Sequence, residues 1–179
     1  MQHTVVKYNS IIKNCEEIFG NKLKDYGTAW RILRISSLTD QIFIKAQRIR
    51  SIEQKRVSKV NEGVVNEFKG IVNYAIIGLI QLDLGISEEG EEIDYDMVMS
   101  LFRKHANIAK ELMMAKNHDY GEAWKDMRIS SLTDLILQKI LRVKQIENNS
   151  GATLISEGID ANYLDMLNYG VFALIKLER

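Results

Sequence analysis

A 29-residue stretch occurs twice in this chain, and that duplication limits the possible folds more than any single motif does. The first copy, DYGTAWRILRISSLTDQIFIKAQRIRSIE, runs from Asp25 to Glu53, and the second, DYGEAWKDMRISSLTDLILQKILRVKQIE, from Asp119 to Glu147. They align without a gap at an offset of 94, with 17 of 29 positions identical. The unit is too long for a solenoid repeat, so two copies of one small domain fused head to tail are expected. Each half of a 179-residue chain would bury only a modest share of its surface alone, so the halves are expected to pack on each other.

The chain contains no proline. That favours long helices, because proline removes a backbone donor and clashes with the preceding turn. Apolar residues recur at helical spacing over residues 4–24 (Tyr8, Ile12, Cys15, Phe19) and again up to Glu53 (Leu38, Ile42, Ile49, Ile52). Lys45 stands in the gap of that second stripe. A third helix is expected over 62–84, through Phe68, Ile71, Val72, Ala75 and Ile76, with Gly70 and Gly78 marking close helix contacts. The second half repeats the plan over 97–116, 131–147 and 157–177, with Lys139 in the matching gap and an offset that becomes 95 in the last helix. Ser37 and Ser131 read as helix caps, each followed three residues later by an aspartate, Asp40 or Asp134. No β-hairpin signal is present. The expected fold is all-α, two tandem three-helix repeats packed as a pseudo-twofold helical bundle: residues 1–84, an acidic linker 85–94, and residues 95–179.

Formal net charge is zero, so no global field favours nucleic acid or an anionic membrane, and no direct duplex nucleic-acid binding is expected. Cys15 is the one cysteine, which rules out an internal disulfide and argues against a zinc–thiolate site. No basic segment followed by an apolar run opens the chain, and no apolar stretch reads as a membrane span of about 20 residues. The expectation is a cytoplasmic protein, a monomer as pseudo-dimer or a homodimer.

Three constellations could carry chemistry. Lys45 with Arg48, and Lys139 with Arg142, share a helix face and could clamp phosphate, or form interhelical salt bridges. Tyr26 with Trp30, and Tyr120 with Trp124, could stack on a base or plug the end of a bundle, with Arg34 and Arg128 following. The acids Glu17 and Glu111, Asp40 and Asp134, and Glu62 and Glu157 recur between repeats and could hold Mg²⁺ from facing helices, or serve as caps and first-turn acids. Asn73-Tyr74 matches Asn168-Tyr169, but three residues earlier one half has Gly70 and the other Asp165; Val65 likewise faces Asp160. The second half therefore keeps more ligand-capable oxygens and is the expected metal-binding half, with Glu67 a displaced substitute in the first.

The order DYGxAW, Arg-Ile-Ser-Ser-Leu-Thr-Asp, Lys-x-x-Arg and Asp-x-x-Asn-Tyr resembles the nucleotide modification associated domain type 1 family, over Asp119–Tyr169 and, with Gly70 for the aspartate, over Asp25–Tyr74. That family is in turn similar to the all-α MazG-type nucleoside triphosphate pyrophosphohydrolases, which build Mg²⁺ sites from helix-borne acids; Glu157-x-x-Asp160 is the one good Glu-x-x-Asp fit here. The resemblance implies a nucleotide or other phosphorylated small molecule as ligand and a Mg²⁺-dependent hydrolase as one outcome. Glu111, Glu157, Asp160 and Asp165 would hold metal, with Glu111 or Asp165 orienting water. Lys139 and Arg142, with Lys45 and Arg48, would hold phosphates, Arg128 and Asn168 would also contact the substrate, and Tyr120 or Trp124 would face the base. A non-catalytic nucleotide sensor and a structural helical adaptor with salt-bridged core charges are the alternatives.

Overall fold

The computed structural model describes residues 1–55, 60–154 and 157–178, with the side chains of 60–62 excepted. Among them are six α-helices and no strand: α1 (Gln2–Tyr26), α2 (Ile35–Lys55), α3 (Val60–Leu84), α4 (Tyr95–Tyr120), α5 (Ile129–Asn148) and α6 (Ile159–Leu177). A short 3-10 turn follows the first helix of each repeat, Ala29–Ile32 and Ala123–Asp126. The all-α duplicated architecture is as the periodicity predicts.

Helices α3 and α6 form the centre and pack on each other, α2 flanks α3, α5 flanks α6, and α2 meets α5. Helices α1 and α4 each touch both α3 and α6. Each repeat therefore completes its core with the other repeat's third helix, which binds the halves into one body. Phe68, Ile71, Val72, Ala75, Ile76 and Ile80 are wholly buried, and full burial of a large aliphatic or aromatic side chain contributes about 1.5–3 kcal/mol.

The structure corrects four expectations. By length and composition Gly63–Leu84 is apolar enough to cross a membrane, contrary to the reading that no stretch is; here its apolar side chains serve as the centre of the bundle. Ser37 and Ser131 are not caps: α2 and α5 start two residues earlier, after Arg34 and Arg128, whose carbonyls accept from the Ser37 and Ser131 backbone N–H groups at 3.0 and 3.1 Å. The gap in the apolar stripes is filled by Ala46 and Ile140, both wholly buried, and the lysines stand beside them at the edge. Glu157 precedes α6, so the first-turn acid is Asp160; the matching expectation at Glu62 lies outside the described side chains. Asp40 and Asp134 form cross-repeat ion pairs related by the pseudo-twofold, to Lys144 at 3.5 Å and Arg50 at 3.9 Å.

Gly27 and Gly121 end α1 and α4 at φ near +60°, where a side chain would be strained. This turns the chain sharply and lays each 3-10 turn, with its tryptophan, against the bundle end. The segment 85–94 then folds over the first turn: Thr28 Oγ1 donates to Glu91 O at 3.1 Å and accepts from Ile93 N, and Ser87 N donates to Arg31 O at 2.9 Å.

Candidate functional site

The predicted second-half site neutralises itself. Asp165 on α6 is 5% exposed, and its two oxygens take Lys116 Nζ at 2.7 Å and Lys139 Nζ at 2.8 Å. Burial pulls the Lys116 pKa down, but the hydrogen bond and charge of Asp165, with smaller help from Tyr169 and Glu157, outweigh it and leave the pKa raised. Burial, followed by the Asp165 charge, raises the Tyr169 pKa. Glu111 is exposed and accepts from Asn107 at 3.2 Å, and Asp160 is exposed. Lys139, Arg142 and Glu157 do line one open cavity of about 800 Å³, yet Glu111, Asp160 and Asp165 are not in its wall. Among the described residues no three His, Cys, Asp or Glu side chains gather to hold a metal ion. The four acids thus do not fit a resident Mg²⁺, because the one buried carboxylate is committed to two ammonium groups and the others stand apart.

The remaining second-half residues are equally occupied or remote. Trp124 is 8% exposed and stacks on Phe172, with ring centres 4.2 Å apart and planes 4° from parallel, so that face is covered. Tyr120 and Arg128 are exposed. Asn168 is buried, donating to Ala109 O at 3.0 Å and accepting from the Tyr8 hydroxyl at 2.7 Å, which makes it a structural link between repeats.

The first repeat differs at the same places. Gly70 stands where the second repeat has Asp165, and Ile77 where it has Phe172. With neither side chain present, a cavity of about 550 Å³ opens, lined by Trp30, Tyr74, Lys22, Lys45, Lys69 and Gly70 among others. Trp30 is half-buried and tilted at 48° to Phe19, with its ring centre 6.4 Å away. Lys45 Nζ lies 5.6 Å from the Tyr74 ring centre and 3.5 Å from Glu67, which also takes Arg48 at 2.7 Å. Glu67 is thus the counter-ion of the lysine–arginine pair. Lys22 and Lys69 have no ion-pair partner among the described residues. Among the described residues no Asp or Glu lines the cavity. Three ammonium groups beside aromatic rings suit a flat ring bearing an anionic group.

The aromatic wall is held from below by contacts that local spacing does not reveal. Arg31, 4% exposed, donates through Nη1 to Gln81 Oε1 and to Gly85 O at 2.5 Å. Gln81 Nε2 donates back to Arg31 O at 2.9 Å and Leu33 O at 2.8 Å. This reciprocal lock ties the Trp30 turn to the end of α3. In the second repeat Lys176, at the position of Gln81, donates to Lys125 O at 2.5 Å instead. Sequence reasoning missed Lys22, Lys69 and Gln81. The available signal was the pair of repeat differences, Gly70 against Asp165 and Ile77 against Phe172, which mark where the first repeat carries the smaller residue.

Two segments of the chain, residues 22–82 and 116–177, match the family described as Nucleotide modification associated domain 1. No curated protein matches, and no solved structure does. Each matched segment takes in the last turn of a repeat's first helix, its tryptophan turn and its second and third helices, and the two together cover more than half of the chain. On that double match, the chain belongs to the nucleotide modification associated domain 1 family, as a tandem duplication.

Proposed function

We propose that the chain binds a nucleotide in the first-repeat cavity, with the base against Trp30 and Tyr74 and the phosphate toward the lysines. The observation that carries this reading is the combination of an open aromatic cavity, with no carboxylate in its wall among the described residues, and three lysines in one repeat. Its volume falls within the range of about 300–1,000 Å³ common to small-molecule sites. Base stacking on an aromatic side chain is worth about 1–3 kcal/mol, and ammonium–phosphate contacts are stronger than neutral hydrogen bonds. The family's association with nucleotide modification supports the ligand class. Binding is favoured over hydrolysis because, among the described residues, no carboxylate lines the cavity to orient water.

The test is a panel of nucleosides and nucleoside mono-, di- and triphosphates, with and without Mg²⁺, read by thermal shift and tryptophan emission. At least one nucleotide should raise Tm and change the emission without releasing phosphate or pyrophosphate. The emission change should vanish in Trp30→Phe and persist in Trp124→Phe, because Trp124 is stacked away against Phe172. A folded protein whose Tm and emission respond to no member of the panel would overturn the reading, and release of phosphate would replace binding with hydrolysis.

A further inference from the structure

The duplication supplies an internal picture of what the first-repeat cavity lacks. In the second repeat, one carboxylate bridges the lysine near the end of the first helix and the lysine of the second helix: Asp165 holds Lys116 at 2.7 Å and Lys139 at 2.8 Å. Lys22 and Lys45 occupy the equivalent positions in the first repeat, at the 94-residue offset, and Gly70 occupies that of Asp165 at the 95-residue offset. All three line the open cavity. We propose that Lys22 and Lys45 form a phosphoryl subsite over Gly70, and that the ligand's anionic group takes the place that the Asp165 carboxylate holds in the second repeat. This rests on the nucleotide reading above and names the part of the ligand that the cavity grips.

Three observations converge on it. The lysine pair survives in the first repeat although its internal anion does not. Lys22 has no ion-pair partner among the described residues, and Lys45 has Glu67 only at 3.5 Å, against 2.8 Å for Lys139 to Asp165. Of the two, Lys45 is partly buried; an ammonium so placed without a close anion is costly, and an incoming phosphoryl oxygen would remove that cost, while exposed Lys22 is free to close on the same oxygen. Second, a Cβ built on Gly70 would lie 2.8 Å from Lys45 Cε and 3.1 Å from its Nζ. The lysine thus leans into the volume that a side chain at position 70 would claim. Third, the second repeat closes its equivalent cavity twice over, with Asp165 between the lysines and Phe172 against Trp124, whereas the first repeat has the smaller residue at both places. One repeat is a lock with its own anion in place, and the other is open to an anion from solution. Gly70 is then the specificity-determining position: its lack of a side chain admits the phosphoryl group.

The experiment uses Gly70→Asp, which supplies the anion from within, and Lys22→Met, which removes one arm of the clamp. The obstacle to an aspartate at position 70 is the flexible end of Lys45, which can move aside to pair with it. The probes are the nucleotide giving the largest thermal shift in the panel, its nucleoside, and inorganic pyrophosphate, titrated by calorimetry. Each variant should lose about 10- to 100-fold in affinity for the nucleotide and for pyrophosphate, with nucleoside affinity unchanged. If the nucleotide still acts through Trp30 with native affinity in both variants, or if nucleoside binding falls equally, the phosphoryl subsite is overturned while the binding reading stands. If neither the nucleotides nor pyrophosphate act on the native chain, both fall. Should Gly70→Asp not fold, Lys22→Met at an exposed position decides the matter alone.

Discussion

The Tyr8 hydroxyl donates to Asn168 Oδ1 at 2.7 Å, joining the first helix of one repeat to the third helix of the other. The 94-residue offset places Phe102 opposite Tyr8, and a phenylalanine cannot supply that bond. The equivalent asparagine, Asn73, still donates to Cys15 O at 3.1 Å, matching Asn168 to Ala109 O at 3.0 Å, but its Oδ1 is buried without a partner. Removing the Tyr8 hydroxyl would leave a second such orphan. Tyr8→Phe should therefore lower stability by about 1–3 kcal/mol in urea unfolding. A loss below about 0.5 kcal/mol, the usual scatter of neutral substitutions, would show that this bond adds nothing.

Glu147 presents the opposite case, a group whose replacement should stabilise. Tyr163 OH pairs with Thr39 Oγ1 at 2.7 Å, whereas Phe68, its counterpart, leaves Thr133 free to donate to Glu53 at 2.7 Å. Glu147, the partner of Glu53 in the duplication, has a buried Oε1 with no hydrogen bond. Burial, and then the charge of Asp40, raise its pKa. A raised folded-state pKa means that the favourable contribution is fully present below the unfolded value, about 4.3, and is lost as pH rises through the folded value. Glu147→Gln should thus raise Tm at pH 7 by about 2 °C, after discounting for partial solvation, and the gain should shrink toward pH 4. A gain equal at both pH values would exclude ionisation as the cause.

Asp165→Ala removes the anion between Lys116 and Lys139 and leaves Lys139, with 11% of its side chain exposed, unpaired. Stranding one side of a buried pair costs about 3–5 kcal/mol; the 43% exposure of Lys116 places the expected loss at about 3 kcal/mol. Adding Lys139→Met should restore part of it. Chemical denaturation of the single and double variants reads the result, and an additive double variant would refute the coupling.

The central helix crossing depends on Gly78. A Cβ there would collide with Tyr163 Cε1, within the α3–α6 contact. Gly78→Ala should destabilise by about 2 kcal/mol through overpacking, although alanine is the better helix former by about 1 kcal/mol. Gly63→Ala is the control. Its nearest neighbour is Ile52 Cδ1 at 3.8 Å, so propensity prevails and stability should rise by up to about 1 kcal/mol. Equal effects from the two substitutions would show that the crossing has room to relax.

Sequence reasoning went astray where an outcome depended on which helix faces which. Gly70 against Asp165 was visible as a difference between repeats, and extra carboxylate oxygens made the second half look like the reactive one. In the fold that carboxylate is already taken, since Asp165 is enclosed between two lysines that approach from α4 and α5. The cap expectation at Ser37 and Ser131 failed for a different reason. A good capping residue is only a local preference, and the turns after Trp30 and Trp124 bring the chain into helical geometry two residues sooner.

From the amino-acid order alone came the duplication, the all-helical class and the helix count. These follow from identity at a constant offset and from apolar spacing, both local properties of the chain. Only the packed structure decided which tryptophan borders an open cavity beside its lysines. That depends on whether an ammonium meets its counter-charge inside the protein, and on whether Phe172 or Ile77 stands behind the tryptophan. Helices distant in sequence settle both by meeting side by side, and linear spacing carries no record of those distances.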